Sequence, residues 1–254
     1  MLHTRVIPVL LLNSRGLVKT RKFEKPIYIG DPINVVRIFN EKEADELTIL
    51  DIEASKFKRE VNLLQIQELA SEAFMPLAYG GGINTMKQVE SLFRSGVEKV
   101  ILNSAFFANH SLVTEASSVF GSQSIVVSLD YRSSLVGRIA RVFSISGQRK
   151  EPLSLLEAAK LAQDSGAGEI LLNCINRDGM MNGYDIDVIR EISGQLAVPL
   201  IACGGAGSIV HMRDAIEAGA SAVAAGSIFV FVGKHKAVLV NYLKKQELEF
   251  VNGR

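Results

Sequence analysis

The chain has 254 residues, 48% of them hydrophobic, with 28 basic side chains against 27 acidic ones. That supplies core enough for one α/β domain of roughly 250 residues, and the balanced charge gives no electrostatic support for a nucleic-acid polymer as partner. The apolar start MLHTRVIPVLLLNSRG is too short to cross a membrane and shows no small-residue cleavage site, so the expectation is a cytoplasmic protein with no membrane association.

In chain order, short β-rich runs fall at 5–12, 46–52, 75–79, 99–103, 124–130, 169–174, 198–203 and 222–226. Amphipathic helical patterns follow nearly all of them, as at 84–95 and 154–165. Strands alternating with helices imply a parallel sheet, and eight such units favour closure into a single-domain (β/α)8 TIM barrel. Cys174 and Cys203 each end an apolar run and form no C-x-x-C pair, which suits free thiols in a reducing compartment. The histidines lack metal-ligand spacing, so neither a metal nor a cofactor is expected.

The stronger signal is internal. Gly80-Gly81-Gly82-Ile83, a helix ending Ser95-Gly96 and the run Val100-Ile101-Leu102-Asn103-Ser104 recur about 124 residues later. There they read Gly204-Gly205-Ala206-Gly207, a helix ending Ala218-Gly219, and Ala222-Val223-Ala224-Ala225-Gly226-Ser227. Two fused half-barrels, approximately 1–122 and 123–254, explain the constant offset.

Loops after barrel strands build active sites, often with a phosphate site after strands 7 and 8. Gly204, Gly205, Gly226 and Ser227 fall there, where backbone N–H groups and a helix start can face phosphate oxygens. Gly81, Gly82, Asn103 and Ser104 are the half-barrel copy, across the mouth. Two such sites imply a ligand phosphorylated at both ends, although glycines that only make tight turns remain the alternative.

Strand parity places Asp130 on one side with Val126 and Ser128. If that side is the interior, a desolvated carboxylate suited to proton transfer enters the mouth; the alternative is a turn cap. Asp51 has the opposite parity to Glu46 and needs a bulge or strand end to face inward. Asn173, Asn176 and Asp178 are candidates for orienting a substrate, with turn chemistry as the other explanation of 176–179. At the opposite end, Arg5, Glu46, Lys99 and Glu169 open strands 1, 2, 4 and 6. They form either a closed ring at the floor or ordinary solvated charges.

These residues give nearly the whole chain a specific resemblance to the cyclase subunits of imidazole glycerol phosphate synthase. The stretches that carry it are Asp45-Glu46-Leu47 through Leu50-Asp51-Ile52, the turns at 80–83 and 204–207, Phe120-Gly121-Ser122-Gln123, Gly166-Ala167-Gly168-Glu169 with the following apolar run, and Arg177-Asp178-Gly179. The resemblance implies a half-barrel duplicate that binds a bisphosphorylated ribonucleotide. It also implies ammonia from a HisH-like glutaminase docked on the amino-terminal face, and imidazole glycerol phosphate and aminoimidazole carboxamide ribotide as products. By position, Arg5, Glu46, Lys99 and Glu169 match the family's ammonia gate, the two glycine clusters its phosphate sites, Lys19 a lysine in the long loop after strand 1, and Asp130 one of two catalytic aspartates.

The other aspartate is absent. Where the family's first strand ends Cys-Leu-Asp-Val, this one has Val9-Leu10-Leu11-Leu12, and the loop Asn13-Ser14-Arg15-Gly16 also departs from the usual Asp-Gly. Losing a general acid or base typically costs about 10²–10⁴ in rate. Intact gate and phosphate motifs with half the acid/base pair resemble the branch that accompanies sugar amidation in surface polysaccharide synthesis, where a sugar amidotransferase receives the ammonia. Two other readings stay open: an active cyclase of histidine biosynthesis, and a related sugar-phosphate isomerase, which fits less well because it also uses a strand-1 aspartate and needs no floor gate.

Overall fold

The computed structural model describes residues 4–133, 140–233 and 235–253. Its centre is a ring of strands: β1 (Arg5–Asn13), β2 (Leu47–Asp51), β3 (Leu77–Gly80), β4 (Lys99–Leu102), β5 (Ile125–Ser133), β6 (Glu169–Cys174), β7 (Leu200–Cys203) and β8 (Ala222–Ala225). Each pairs in parallel with the next, and Arg5 beside Ala222 closes β1 onto β8. The (β/α)8 barrel expected from the sequence is the observed fold. Closure leaves these strands no free edge.

Two strands start two residues later than their apolar runs. Pro76 and Pro199 stand just ahead of β3 and β7, where a residue without N–H cannot donate to a ladder. Their carbonyls still accept, from Leu47 N at 2.9 Å and Ile170 N at 3.0 Å.

Side-chain alternation splits the apolar residues into two layers. Ile7, Val9, Leu11, Ile101, Val126, Leu171 and Ile201 fill the barrel, while Val6, Leu10, Ile49, Val127 and Leu172 pack outward under the helices. The outer layer comprises α1 (Pro32–Glu41), α2 (Leu63–Glu72), α3 (Met86–Arg94), α4 (Ser111–Phe120), α5 (Leu155–Asp164), α6 (Ile186–Ser193), α7 (Ile209–Glu217) and α8 (Lys245–Val251). Thr85 and Ser154 close capping boxes with Gln88 and Glu157, so the helices expected at 84–95 and 154–165 begin just inside those limits. No helix among the described residues is long and apolar enough to cross a membrane.

Both halves depart from the simple βα alternation at the same place. After β1 the chain makes an antiparallel hairpin, Gly16–Arg21 with Glu24–Gly30, and after β5 another, Ala140–Ser144 with Arg149–Ser154. Lys19 therefore sits on a strand, not in an irregular loop. The first hairpin is pinned by Asp178, whose carboxylate accepts from Thr20 Oγ1 at 2.7 Å and Phe23 N at 3.1 Å. The second reaches across to β2, with Ser146 Oγ donating to Ile52 O at 2.8 Å. They meet where Gly147 faces Phe23, so closely that a Cβ there would stand 3.1 Å from the ring. The hairpins thus roof the carboxyl end of the barrel.

On the amino-terminal side, Tyr242 ties the C-terminal segment to the seam. Its hydroxyl donates to Val6 O at 2.7 Å, lies 3.2 Å from Asp45 Oδ2, and its ring packs on Phe39 and Phe229. Tyr242→Phe should keep the packing and lower unfolding free energy by about 1–2 kcal/mol, because Val6 O loses a buried donor. Urea denaturation checks this; an unchanged midpoint would show the hydroxyl bonds to be replaceable.

Candidate functional site

The four charges expected at the floor converge. Arg5 Nη1 approaches Glu46 Oε2 at 2.5 Å, Arg5 Nη2 bonds Glu169, and Lys99 Nζ lies 2.9 Å from both Glu46 Oε2 and Glu169 Oε2. The result is a closed ring of alternating sign in which each carboxylate holds two cations. The Glu46 side chain is only 4% exposed and that of Arg5 27%, so the ring plugs the barrel axis while touching solvent below. Burial opposes charge on Arg5, yet the two carboxylates overcome it and raise the guanidinium pKa.

Above the ring the interior is apolar, with Ile7, Ala78, Ile101, Val126, Leu171 and Ile201 buried on the axis. One residue pair higher it turns polar. Ser128, Asp130 and Asn173 are all less than 9% exposed, and Asp130 pairs in register with Asn173. The side that Asp130 shares with Val126 and Ser128 is therefore the barrel interior. Asn173 Nδ2 donates to Asp130 Oδ1 at 3.2 Å, and Ser128 Oγ donates to the same oxygen at 3.4 Å. Burial raises the Asp130 pKa to about 7, against the two neutral donors that lower it.

Lys19 descends from the first hairpin into the same space, with Nζ donating to Val9 O. A Cβ on Gly226 would lie 2.0 Å from that nitrogen, so glycine is what admits the lysine head. Burial lowers the Lys19 pKa to about 8, although Asp178 pulls it upward. Asp178 is itself raised by burial while Thr20 and Phe23 N hold it down. The mouth thus presents an acid and a base that both titrate near neutrality. Leu11, in the strand-1 position expected to be apolar, lines the cavity beside them.

The glycine clusters open on that one cavity. Gly81, Gly82, Asn103 and Ser104 line it on one side, Gly204, Gly205, Gly226 and Ser227 on the other. Local geometry also demands glycine: Gly81 has φ +113° with Asp51 O only 2.3 Å from a would-be Cβ, and Gly205 has φ +118° with Gly183 O at 2.1 Å. Close approach of the backbone to Asp51 and Gly183 therefore accounts for glycine at these two positions. Asn103 Nδ2 donates to Ser128 O at 2.9 Å, and Ser104 Oγ accepts from Ile145 N at 3.0 Å, which binds the second hairpin to this edge.

Two candidates are spent on local structure. Asp51 ends β2 at the cavity rim, where Oδ1 accepts from Glu53 N and Ala54 N at 2.9 Å each and from Arg59 Nη2 at 3.2 Å. It caps the turn beneath Gly81 while lining the cavity. Asn176 Oδ1 accepts from Ser133 N at 3.0 Å, a turn role. The roof residues Thr20, Phe23 and Ser146, and Arg59 behind Asp51, are absent from the sequence-derived set; no local pattern marks them, because each acquires its place through a hairpin or a loop contact.

Residues 5–236 match the protein family described as histidine biosynthesis protein. The chain is 51% identical over 250 residues to a Pseudomonas aeruginosa protein provisionally named imidazole glycerol phosphate synthase subunit hisF2, covering 98% of this chain and 99% of that one. It is 48% identical to a Vibrio vulnificus protein provisionally named subunit hisF3, over 97% and 95% of the two chains. A Leptospira borgpetersenii protein provisionally named subunit HisF of the same synthase is also 48% identical, over 95% and 96%.

The Asp130 environment makes stability depend on pH in a definite direction. With a folded pKa near 7 against an ordinary 3.8, the native state binds the extra proton between those values, so the Asp130 contribution falls as pH rises through that window and levels off above it. In urea titrations the stability of wild type minus that of Asp130→Asn should fall steadily from pH 4 to pH 7. A flat difference would mean that folding leaves the Asp130 pKa at its ordinary value.

Proposed function

The chain belongs to the histidine biosynthesis family, among the HisF-type cyclase subunits of imidazole glycerol phosphate synthase, and from that membership we propose that it is an ammonia-receiving barrel whose own cyclase chemistry is impaired. A glutaminase docks on the amino-terminal face, ammonia enters past the four-charge ring, and a doubly phosphorylated ligand sits across the two glycine clusters at the mouth. The observation that carries this reading is the pairing of a complete floor ring with Leu11 at the mouth.

The physical chemistry is consistent along the axis. Lys99 holds its two carboxylates through one flexible, single-point head group, so it is the ring member that can swing aside; Arg5 grips both partners and stays. The apolar belt above favours neutral ammonia, because moving an ammonium ion out of water costs several kcal/mol even after relaxation. At the top, Asp130 and Lys19 can exchange protons, and Asn173 and Asp178 frame the ligand and the roof. With Leu11 unable to act as the second acid or base, the ammonia is destined for another acceptor, a sugar amidotransferase of surface polysaccharide synthesis. The alternative, an active cyclase of the histidine pathway, has one observation in its favour: Asp130 and Lys19 are both buried at the mouth, which pushes the carboxyl pKa up and the ammonium pKa down.

Supplied with the formimino ribonucleotide and ammonium salts, the protein should turn over at least about 10²-fold more slowly than a barrel carrying both aspartates, and Leu11→Asp should recover part of the deficit. Full turnover by the unmodified chain would establish the histidine-pathway reading instead.

The floor is tested separately by mixing the protein with a HisH-type glutaminase. Lys99→Ala leaves Glu46 and Glu169 with Arg5 alone, so it should cost about 1–3 kcal/mol of stability and alter glutamine-dependent ammonia transfer, while anion binding at the mouth is unchanged. Failure to form a complex, or transfer indifferent to Lys99→Ala, would reduce the ring to a structural cluster.

A further inference from the structure

We propose that His211 and Gln88 are positioning residues for the two glycine clusters: each holds its cluster's loop with a neutral acceptor, fixing the turn without putting negative charge at a helix end that faces an anion. The proposal rests on the phosphate reading of the clusters and adds what, behind them, keeps them fit for phosphate.

His211 is the third residue of α7, and Ser208 caps that helix by accepting from His211 N at 3.3 Å. The side chain then turns back, and Nδ1 accepts from Gly207 N at 3.2 Å. An imidazole nitrogen accepts only while it carries no proton, so the ring acts here as a neutral acceptor. Gly204, Gly205 and Ala206 line the cavity; Gly207 ends the turn and gives its N–H to His211. The loop is gripped from the other side as well. Gly183 N donates to Gly205 O at 2.8 Å, and a Cβ on Gly207 would stand 2.2 Å from Met181 O.

Gln88 does the same in the first half-barrel. It is the third residue of α3, whose cap Thr85 accepts from Gln88 N at 3.3 Å. Gln88 Oε1 accepts from Asn84 N at 2.7 Å and Thr85 N at 3.1 Å, and Asn84 Nδ2 donates to Gly82 O at 2.7 Å. The exposed Glu60 accepts from Gln88 Nε2 at 2.8 Å, which turns the amide oxygen toward the loop. The two helices that follow glycine clusters are thus built alike. Helix α5, which follows a hairpin instead, closes its capping box with a carboxylate, Glu157.

The difference has a physical reason. A carboxylate in the third position stabilises a helix start, because it completes the box and faces the positive end of the dipole. Beside a phosphate the same charge would cancel that positive end and repel the ligand. A neutral acceptor keeps the tether and leaves the helix end to the anion.

The probe is inorganic phosphate, titrated at constant ionic strength into isotope-labelled protein. The amide resonances of Gly81 and Gly82 report one cluster and those of Gly204 and Gly205 the other. His211→Leu should weaken phosphate at Gly204 and Gly205 by about threefold to tenfold and leave Gly81 and Gly82 unaffected; where it does not fold, His211→Ala removes the same acceptor. His211→Gln, the residue used at position 88, should bind as the wild type does. His211→Glu should melt no lower than the wild type yet bind about tenfold more weakly at that cluster, a split that a purely structural role would not produce. Gln88→Leu and Gln88→Glu should give the mirror pattern. Unchanged affinity in the leucine variants would overturn the tether, and His211→Glu binding as tightly as His211→Gln would overturn the need for neutrality. Equal losses at both clusters in any one variant would reduce the two residues to general scaffolding and overturn the proposal. Absence of phosphate shifts at both clusters of the wild type would overturn the phosphate reading and this proposal with it.

Discussion

A closed ring of parallel strands obliges every second residue to face one axis, and the rest of this molecule depends on that. A slip of one residue in any strand would exchange its inward set for the set that packs under the helices. Because β1, β4 and β6 keep their register, Arg5, Lys99 and Glu169 lie at one end of the same columns that carry Leu11, Asn103 and Asn173 at the other. The chain thus needs no separate device to align a charged floor, an apolar belt and a polar mouth. Alternation places them in line.

Burial acts with opposite results at the two ends. At the floor each carboxylate meets two cations, so the charges stay paired although Glu46 is almost fully enclosed. At the mouth Asp130 is as deeply buried but meets only neutral donors, Asn173 and Ser128, and its proton affinity rises. Lys19 donates to a backbone carbonyl, and burial lowers its proton affinity more than the Asp178 carboxylate raises it. Desolvation is similar; partner chemistry decides whether a group is a fixed charge or one that can exchange a proton.

Much of this was legible in the sequence because it rests on local pattern. Apolar runs located all eight strands, parity grouped Asp130 with Val126 and Ser128, and charges at strand starts offered a floor ring as one of two outcomes. What escaped depends on pairing that only the folded barrel creates. The hairpins at 16–30 and 140–154 are too polar to read as strands and become strands by lying against the ends of β1 and β5. Asp51 looked like a mouth carboxylate, but a strand-end aspartate is well placed to accept from the N–H groups just beyond it, and two of them with Arg59 claim the side chain. The buried oxygen of Asn173, which no donor among the described residues reaches, is likewise invisible in one dimension, since it depends on Asp130 taking the amide nitrogen.

The contact between Phe23 and Gly147 joins two hairpins that arise after β1 and after β5, on opposite halves of the barrel. A Cβ at 147 would stand 3.1 Å from the Phe23 ring and 3.3 Å from Ile175 Cδ1, so the spacing of the two hairpins is tied both to each other and to the turn after β6. Gly147 acts as a keystone: the arms of the roof meet at the separation that this residue's missing side chain allows.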